Sequence, residues 1–193
     1  MAQLTGSKKI KTAVFISGTG SNLKSLILFS KLKKSPISID LIISNNSKSK
    51  GLKLANIFKI KKKIFDFESK NLTETKITSE LKKNKIDLIC LAGFMKILSK
   101  KFINNFKGNI INIHPSLLPK FKGLNTHERA IQNKERYSGC TVHFVNSKLD
   151  SGRIVIQKKV KINKNDTPKT LAKKILTQEH ILYPKAILKI FSL

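Results

Sequence analysis

Two nearby residues and one distant acid have the types and spacing for acyl-transfer chemistry. Asn112 and His114 lie two apart in NIINIH (109–114). On a strand, that spacing puts both on one face. Pro115 ends the strand, so the pair sits at its carboxyl end, where open α/β sheets bind ligands. An amide N–H beside an imidazole suits an oxyanion developing at a carbonyl. Asn donates without changing charge, and His delivers or accepts a proton. Asp150 lies in LDSG, a turn between two strand-like runs. Folded over the pair, its carboxylate would raise the His114 pKa and orient the ring. The alternative is purely structural: a satisfied His at a strand end and an Asp serving its own turn.

A second candidate is SGTGSN (17–22), at a strand-to-helix junction. Backbone N–H groups there meet the positive end of a helix, which suits phosphate. Gly18 and Gly20 match the start of a G-x-G-x-x-G dinucleotide fingerprint, but position 23 is Leu. No G-K-[ST] follows either. One phosphate monoester held by Gly20, Ser21 and Asn22 fits better. An ordinary turn using glycines for positive φ fits equally well.

Other titratable residues offer less. His127 and His180 fall on predicted helices, as surface or packing residues. His143 lies mid-strand, in a core or supporting position. These His residues show no metal-ligand spacing with Cys90 or Cys140, so no metal is expected. Both cysteines sit in apolar strand-like runs and read as buried free thiols in a reducing, cytoplasmic setting. There is no G-x-S-x-G nucleophile elbow.

The elements that must position these groups follow an alternating pattern. Strands are expected over 12–17, 38–44, 62–67, 86–94 and 109–114, with helices over 22–34, near 48–58, over 72–85 and near 99–106. Such alternation predicts an α/β fold: a doubly wound, mostly parallel, Rossmann-like sheet with helices on both faces. After residue 115 the pattern changes. A Pro- and Gly-punctuated loop leads to a short helix. Strand-like runs at 139–146 and 153–162 then flank SKLDSG as a hairpin. The last helix begins after Asp166 or Thr167, either of which can cap it, and Pro168 fits its first turn. Pro184 is expected to kink or split it.

Composition narrows the classes. The chain has 193 residues, 40% of them hydrophobic, and carries a net charge of +28. That hydrophobic content excludes disorder by composition, and the length suits a single domain over 1–193. No apolar run approaches the ~18–20 residues of a membrane span, and no signal peptide is evident. Of the 39 basic residues only Arg129, Arg136 and Arg153 are arginine. The lysines spread along the whole chain rather than gathering into a footprint. Together with abundant Asn and Ile, they look like A/T-rich codon drift. No specific nucleic-acid or membrane partner is expected, although the field favours anionic substrates.

Taken in order, VFISGTGSNLKSLI, LAGFMKILS, INIHPSLLPKFKGLNTH, GCTVHFVNSKLDSGRIVIQ and TQEHILYP resemble the folate-dependent formyltransferases. Within them, the likeness is to the phosphoribosylglycinamide formyltransferases, from about residue 12 to 190. This resemblance implies the formyltransferase fold, with a polar extension over about 1–11, a nucleotide-binding half over 12–114 and a folate-binding, catalytic half over 115–193. It also implies transfer of the formyl group of 10-formyltetrahydrofolate to the amine of 5'-phosphoribosylglycinamide in purine biosynthesis, with no metal. By motif match, Asn112 and His114 stabilise the oxyanion, and Asp150 keeps His114 in its useful protonation state. Gly20, Ser21 and Asn22 hold the phosphate, and Glu179 holds the ribose hydroxyls. Met95, Lys96, Ile97 and Leu98 line the pterin pocket, with Asn112 beside them and Asn146, Ser147, Lys148, Leu149 and Asp150 opposite. Lys70 aligns with a family arginine; it keeps the charge but loses the bidentate geometry. Relatives are monomers or homodimers.

Three rivals differ at stated features. A formyltetrahydrofolate deformylase usually carries a preceding regulatory domain and a second His where Pro115 stands. A methionyl-tRNA formyltransferase usually has Gly at 115 and needs a further C-terminal domain. A basic nucleic-acid-binding module would concentrate its charge and carry more aromatics.

Overall fold

The computed structural model describes residues 9–191. Most of the polar segment expected ahead of the first strand lies outside them, and Ile10 and Lys11 already belong to that strand. In chain order the elements are β1 (Ile10–Ile16), α1 (Ser21–Ser30), β2 (Ile37–Ser44), α2 (Leu52–Ile57), β3 (Lys61–Ile64), α3 (Lys70–Lys83), β4 (Leu88–Leu91) and α4 (Lys100–Asn105). They continue with β5 (Asn109–His114), α5 (Thr126–Gln132), β6 (Tyr137–Phe144), β7 (Ile154–Lys161) and α6 (Pro168–Ile190).

All seven strands form one sheet, ordered β3-β2-β1-β4-β5-β6-β7. The first five run parallel, and β6 and β7 pair antiparallel. This is the doubly wound, mostly parallel sheet expected from the alternating pattern. The β1 run from Ala13 to Ile16 is apolar throughout because helices cover both sides. Val14 and Ile16 face a core built with Leu23 and Leu26 of α1 and Ile175 and Ala186 of α6. Ala13 and Phe15 face a second core with Ile77 of α3 and Phe102 of α4. Each fully buried Val, Leu, Ile or Phe among them contributes about 1.5–3 kcal/mol. The two edge strands carry Lys61–Lys63 and Lys158–Lys159, mostly exposed, and such charge discourages pairing with other chains.

Because β1 lies between β2 and β4, the chain leaves β1 and β4 toward opposite halves of the sheet. A crevice opens at their carboxyl ends. Ser17 spans it: its N–H donates to the Gly93 carbonyl, and its hydroxyl accepts from the Met95 N–H at 2.8 Å. From α3, the buried Glu74 accepts from the backbone N–H of Ser99, which caps α4, at 2.7 Å. Tyr183 of α6 holds its hydroxyl 3.0 Å from the Leu91 carbonyl and 3.1 Å from that of Ile111. Those contacts tie α6 to the strand ends that carry the site.

Element ends differ from expectation mainly by shortening. β3 stops at Ile64 and β4 spans only Leu88–Leu91. Thr167, rather than Asp166, caps α6, in a reciprocal box with Thr170. The larger correction concerns Pro184, which does not split α6: the helix is continuous for 23 residues. Proline removes the N–H that would bond the carbonyl four residues earlier, here His180. That carbonyl instead accepts from the Ser25 hydroxyl of α1 at 2.7 Å. A neighbouring helix thus replaces the missing donor. Among the described residues no helix is long and apolar enough to cross a membrane.

Ser25→Ala should therefore leave the His180 carbonyl unpaired and lower the unfolding free energy by about 1–2 kcal/mol. Denaturant titration checks this; a loss below about 0.3 kcal/mol would mean water serves the carbonyl equally well.

Candidate active site

β5 presents Asn112 and His114 at its carboxyl end, as the two-residue spacing requires. Antiparallel pairing places Asn112 opposite His143 and His114 opposite Thr141. The β6–β7 turn then brings Asp150 over both histidines. Its Oδ2 lies 3.3 Å from His114 Nδ1, and its Oδ1 lies 3.6 Å from His143 Nε2. The Gly123 N–H donates to Oδ2 at 2.9 Å, which joins this turn to the loop after β5. Asp150 therefore does more than serve its own turn.

A main-chain carbonyl claims one nitrogen of each ring. His114 Nε2 lies 2.9 Å from the Phe121 carbonyl, an acceptor only, so Nε2 carries the proton. Nδ1 faces the Asp150 carboxylate at 3.3 Å, an acceptor as well, so a proton taken up at Nδ1 is stabilised by Asp150. His143 Nδ1 faces the Phe144 carbonyl at 2.8 Å and is protonated by the same argument. Its Nε2 lies 3.3 Å from the Asn112 amide nitrogen and 3.6 Å from Asp150 Oδ1. The Asn112 amide nitrogen retains a second N–H for a ligand.

Burial holds the His114 pKa below the ordinary imidazole value. The Phe121 carbonyl and the Asp150 carboxylate push it up, as expected of Asp150, but burial outweighs them. Asp150 behaves oppositely. Burial raises its pKa, yet contacts with His143, the Gly123 N–H and His114 together hold it below the usual aspartate value. At neutral pH the site holds a neutral imidazole beside a carboxylate.

At the glycine loop, Gly20 is the N-cap of α1 with φ +79°. A Cβ there would meet Gly51 Cα at 2.6 Å, so the backbone approach itself demands glycine. The turn reading therefore holds, and it coexists with a helix terminus whose first N–H groups lack intrahelical partners. Next to it the Asn22 amide donates to Glu179 Oε2 at 2.6 Å. Asn22 Oδ1 is buried without a partner among the described residues. Burial pushes the Glu179 carboxyl up, against the lowering contact with Asn22.

A cleft of about 990 Å³ joins these parts. Asn22 and Glu179 line it, with Asn112, His114 and Asp150, residues 95–98 and residues 146–150. Met95, Ile97, Leu124 and Leu149 are 52–72% exposed and give it an apolar rim. Gly20 and Ser21 lie outside the lining. So does Lys70, an exposed residue at the start of α3. The cleft also takes in Leu124, Asn125, His127 and Glu128, which the sequence pattern did not single out as site residues. Their signal was the short helix following the Pro/Gly loop, which α5 turns toward the cleft. Cys90 and Cys140 are buried, free and pushed up to about 12 by burial. Among the described residues, no three His, Cys, Asp or Glu side chains are grouped to hold a metal ion.

Residues 10–187 match the formyl transferase family. The chain belongs to that family. A formyl transferase relative, the phosphoribosylglycinamide formyltransferase of Haemophilus influenzae, is 42% identical over 180 residues, covering 92% of this chain and 85% of its own. The human trifunctional purine biosynthetic protein adenosine-3 is 42% identical over 183 residues. That match covers 93% of this chain, which spans only 18% of the trifunctional relative. The crystal structure of phosphoribosylglycinamide formyltransferase from Brucella melitensis superimposes with a TM-score of 0.90 at 42% identity, covering 95% of this chain and 96% of that one. The formyl transferase fold thus extends across the β1–β5 half and the β6–β7 hairpin.

The depressed His114 pKa carries a stability consequence. A group whose folded pKa lies below its unfolded value of 6.5 stabilises the fold above that pH and loses this contribution as pH falls through the folded value. Unfolding free energy should therefore decline below about pH 6.5, and less steeply in His114→Gln. Equal slopes for the two proteins would show that His114 titrates alike in both states.

Proposed function

We propose that the chain transfers the formyl group of 10-formyltetrahydrofolate to the amine of 5'-phosphoribosylglycinamide, a step of de novo purine (IMP) biosynthesis. The observation carrying this reading is the meeting of Asn112, His114 and Asp150 in one cleft. The same cleft takes in Glu179 and Asn22, in the first turn of α1, and has an apolar rim. The names of the relatives support the same reaction.

The phosphate sits on the N–H groups around Gly20, Ser21 and Asn22. The ribose hydroxyls reach Glu179 and the free Asn22 Oδ1. The folate ring enters between residues 95–98 and 146–150, where Met95, Ile97 and Leu149 supply apolar contact. Lys70 stands aside from this cleft in the present arrangement, and a charge contact with the folate tail is its remaining role.

In the reaction, the amine nitrogen attacks the formyl carbon, and the carbonyl electron pair moves to oxygen. The Asn112 amide donates to that oxygen. Neutral His114 accepts the amine proton at Nδ1 as the new C–N bond forms. The resulting imidazolium lies against the Asp150 carboxylate, which stabilises the charge where it develops. Collapse of the tetrahedral intermediate breaks the bond to N10 of the folate, and His114 returns its proton there. The products are the N-formyl compound and tetrahydrofolate, with the enzyme unchanged.

Purified protein mixed with 10-formyltetrahydrofolate should form tetrahydrofolate only when phosphoribosylglycinamide is present. His114→Ala should lower kcat about 10²–10⁴-fold with little change in substrate affinity. Turnover without the amine substrate would point instead to hydrolysis of the folate, and undiminished turnover in the variant would remove His114 from the mechanism.

Separately, Asp150→Asn should lower kcat and shift the kcat–pH profile downward, because His114 loses the charge that raises its pKa. A profile identical to that of the unaltered protein would reduce Asp150 to a turn residue.

A further inference from the structure

His114, Thr141 and Gln157 stand opposite one another in a row across β5, β6 and β7. Directly paired residues of antiparallel strands share a face. All three reach the same stretch of chain, the loop 115–121.

Thr141 is fully buried. Its hydroxyl donates to the Ser116 carbonyl at 2.6 Å. It accepts from the Leu118 N–H at 3.1 Å and from Gln157 Nε2 at 2.9 Å. One donor and two acceptors exhaust a hydroxyl's capacity. The same Gln157 amide donates its second hydrogen to the Leu118 carbonyl at 2.8 Å. Buried Ser116 closes the loop on itself by donating to the Lys120 carbonyl at 2.6 Å. One residue later comes Phe121, whose carbonyl meets His114 Nε2. Phe121 has φ +55°, a backbone state that residues with side chains rarely adopt unless held there.

We propose that Thr141 and Gln157 are positioning residues for His114. They clasp the loop that aims the Phe121 carbonyl at Nε2, and so decide which ring nitrogen is left for the cleft. Neither residue lines the cleft. Gln157 lies on the edge strand, two strands away from β5. The inference rests on the proposed role of His114 as the proton carrier.

Three variants test it: Thr141→Val, Thr141→Ser and Gln157→Met. The first reading is the titration of the His114 ring by NMR in substrate-free protein. Asp150, His143, Arg129 and His127 also face His114, and none is altered. Without a firmly placed Phe121 carbonyl the imidazolium loses a partner, so the titration should move to lower pH in Thr141→Val. A smaller move in the same direction is expected in Gln157→Met. Thr141→Ser, which keeps the hydroxyl, should restore the original curve.

The second reading is formyl transfer. Thr141→Val should lower kcat roughly 10- to 100-fold, with both KM values within about threefold. An unmoved titration in folded Thr141→Val would overturn the proposal, whatever happens to its melting temperature. Should Thr141→Val fail to fold, Gln157→Met decides alone, since Gln157 is an exposed residue of the edge strand; an unmoved titration there also overturns the proposal. A titration that moves as expected in a protein that shows no formyl transfer would uphold the positioning role and reject the proposed reaction.

Discussion

The contact between His114 Nε2 and the Phe121 carbonyl orders much of the site around it. An imidazole has two nitrogens, and the surroundings decide which one carries the proton. Here a backbone carbonyl at 2.9 Å claims Nε2, so Nδ1 is left facing Asp150 and the cleft. A matching contact, His143 Nδ1 to the Phe144 carbonyl, exposes the other ring's Nε2 and so orients the Asn112 amide. Two main-chain carbonyls thereby set a donor and a proton acceptor side by side. The Gly123 N–H donates to Asp150, so the carboxylate is not left unpaired.

Burial and charge act against each other here, and the balance suits proton transfer. Burial alone would keep His114 neutral and would also favour a protonated Asp150. The contacts to His143, Gly123 and His114 reverse the outcome for the aspartate but not for the histidine. A neutral base beside a fixed carboxylate can take up a proton with its counter-charge already placed, so little reorganisation is needed as charge develops. The rest of the cleft divides the remaining tasks. The Asn22–Glu179 pair gives it a polar lining, and exposed Met95, Ile97 and Leu149 give it an apolar rim.

Local patterns made the sheet and the central pair readable. β5 appears where NIINIH ends at Pro115, and the two-residue spacing of Asn112 and His114 needed no tertiary knowledge. Features that depend on distant parts of the chain were not readable. Helix α6 runs on through Pro184, and Ser25, on another helix, bonds the orphaned His180 carbonyl. The partnership of His143 with Asn112 follows from strand register, which depends on how long the intervening loop is and how it folds. The net direction of the His114 shift depends on how deeply the ring is buried, which neighbouring residue types do not reveal.

The claim on which the others rest is the protonation pattern of the His114 ring. Long-range nitrogen–proton NMR correlations on protein with 15N-labelled histidine, at a pH above the His114 titration, read it directly. The account predicts a single neutral tautomer with the proton on Nε2 and a bare Nδ1. A proton resident on Nδ1, or rapid exchange between the two nitrogens, would contradict it and would take away the proposed base.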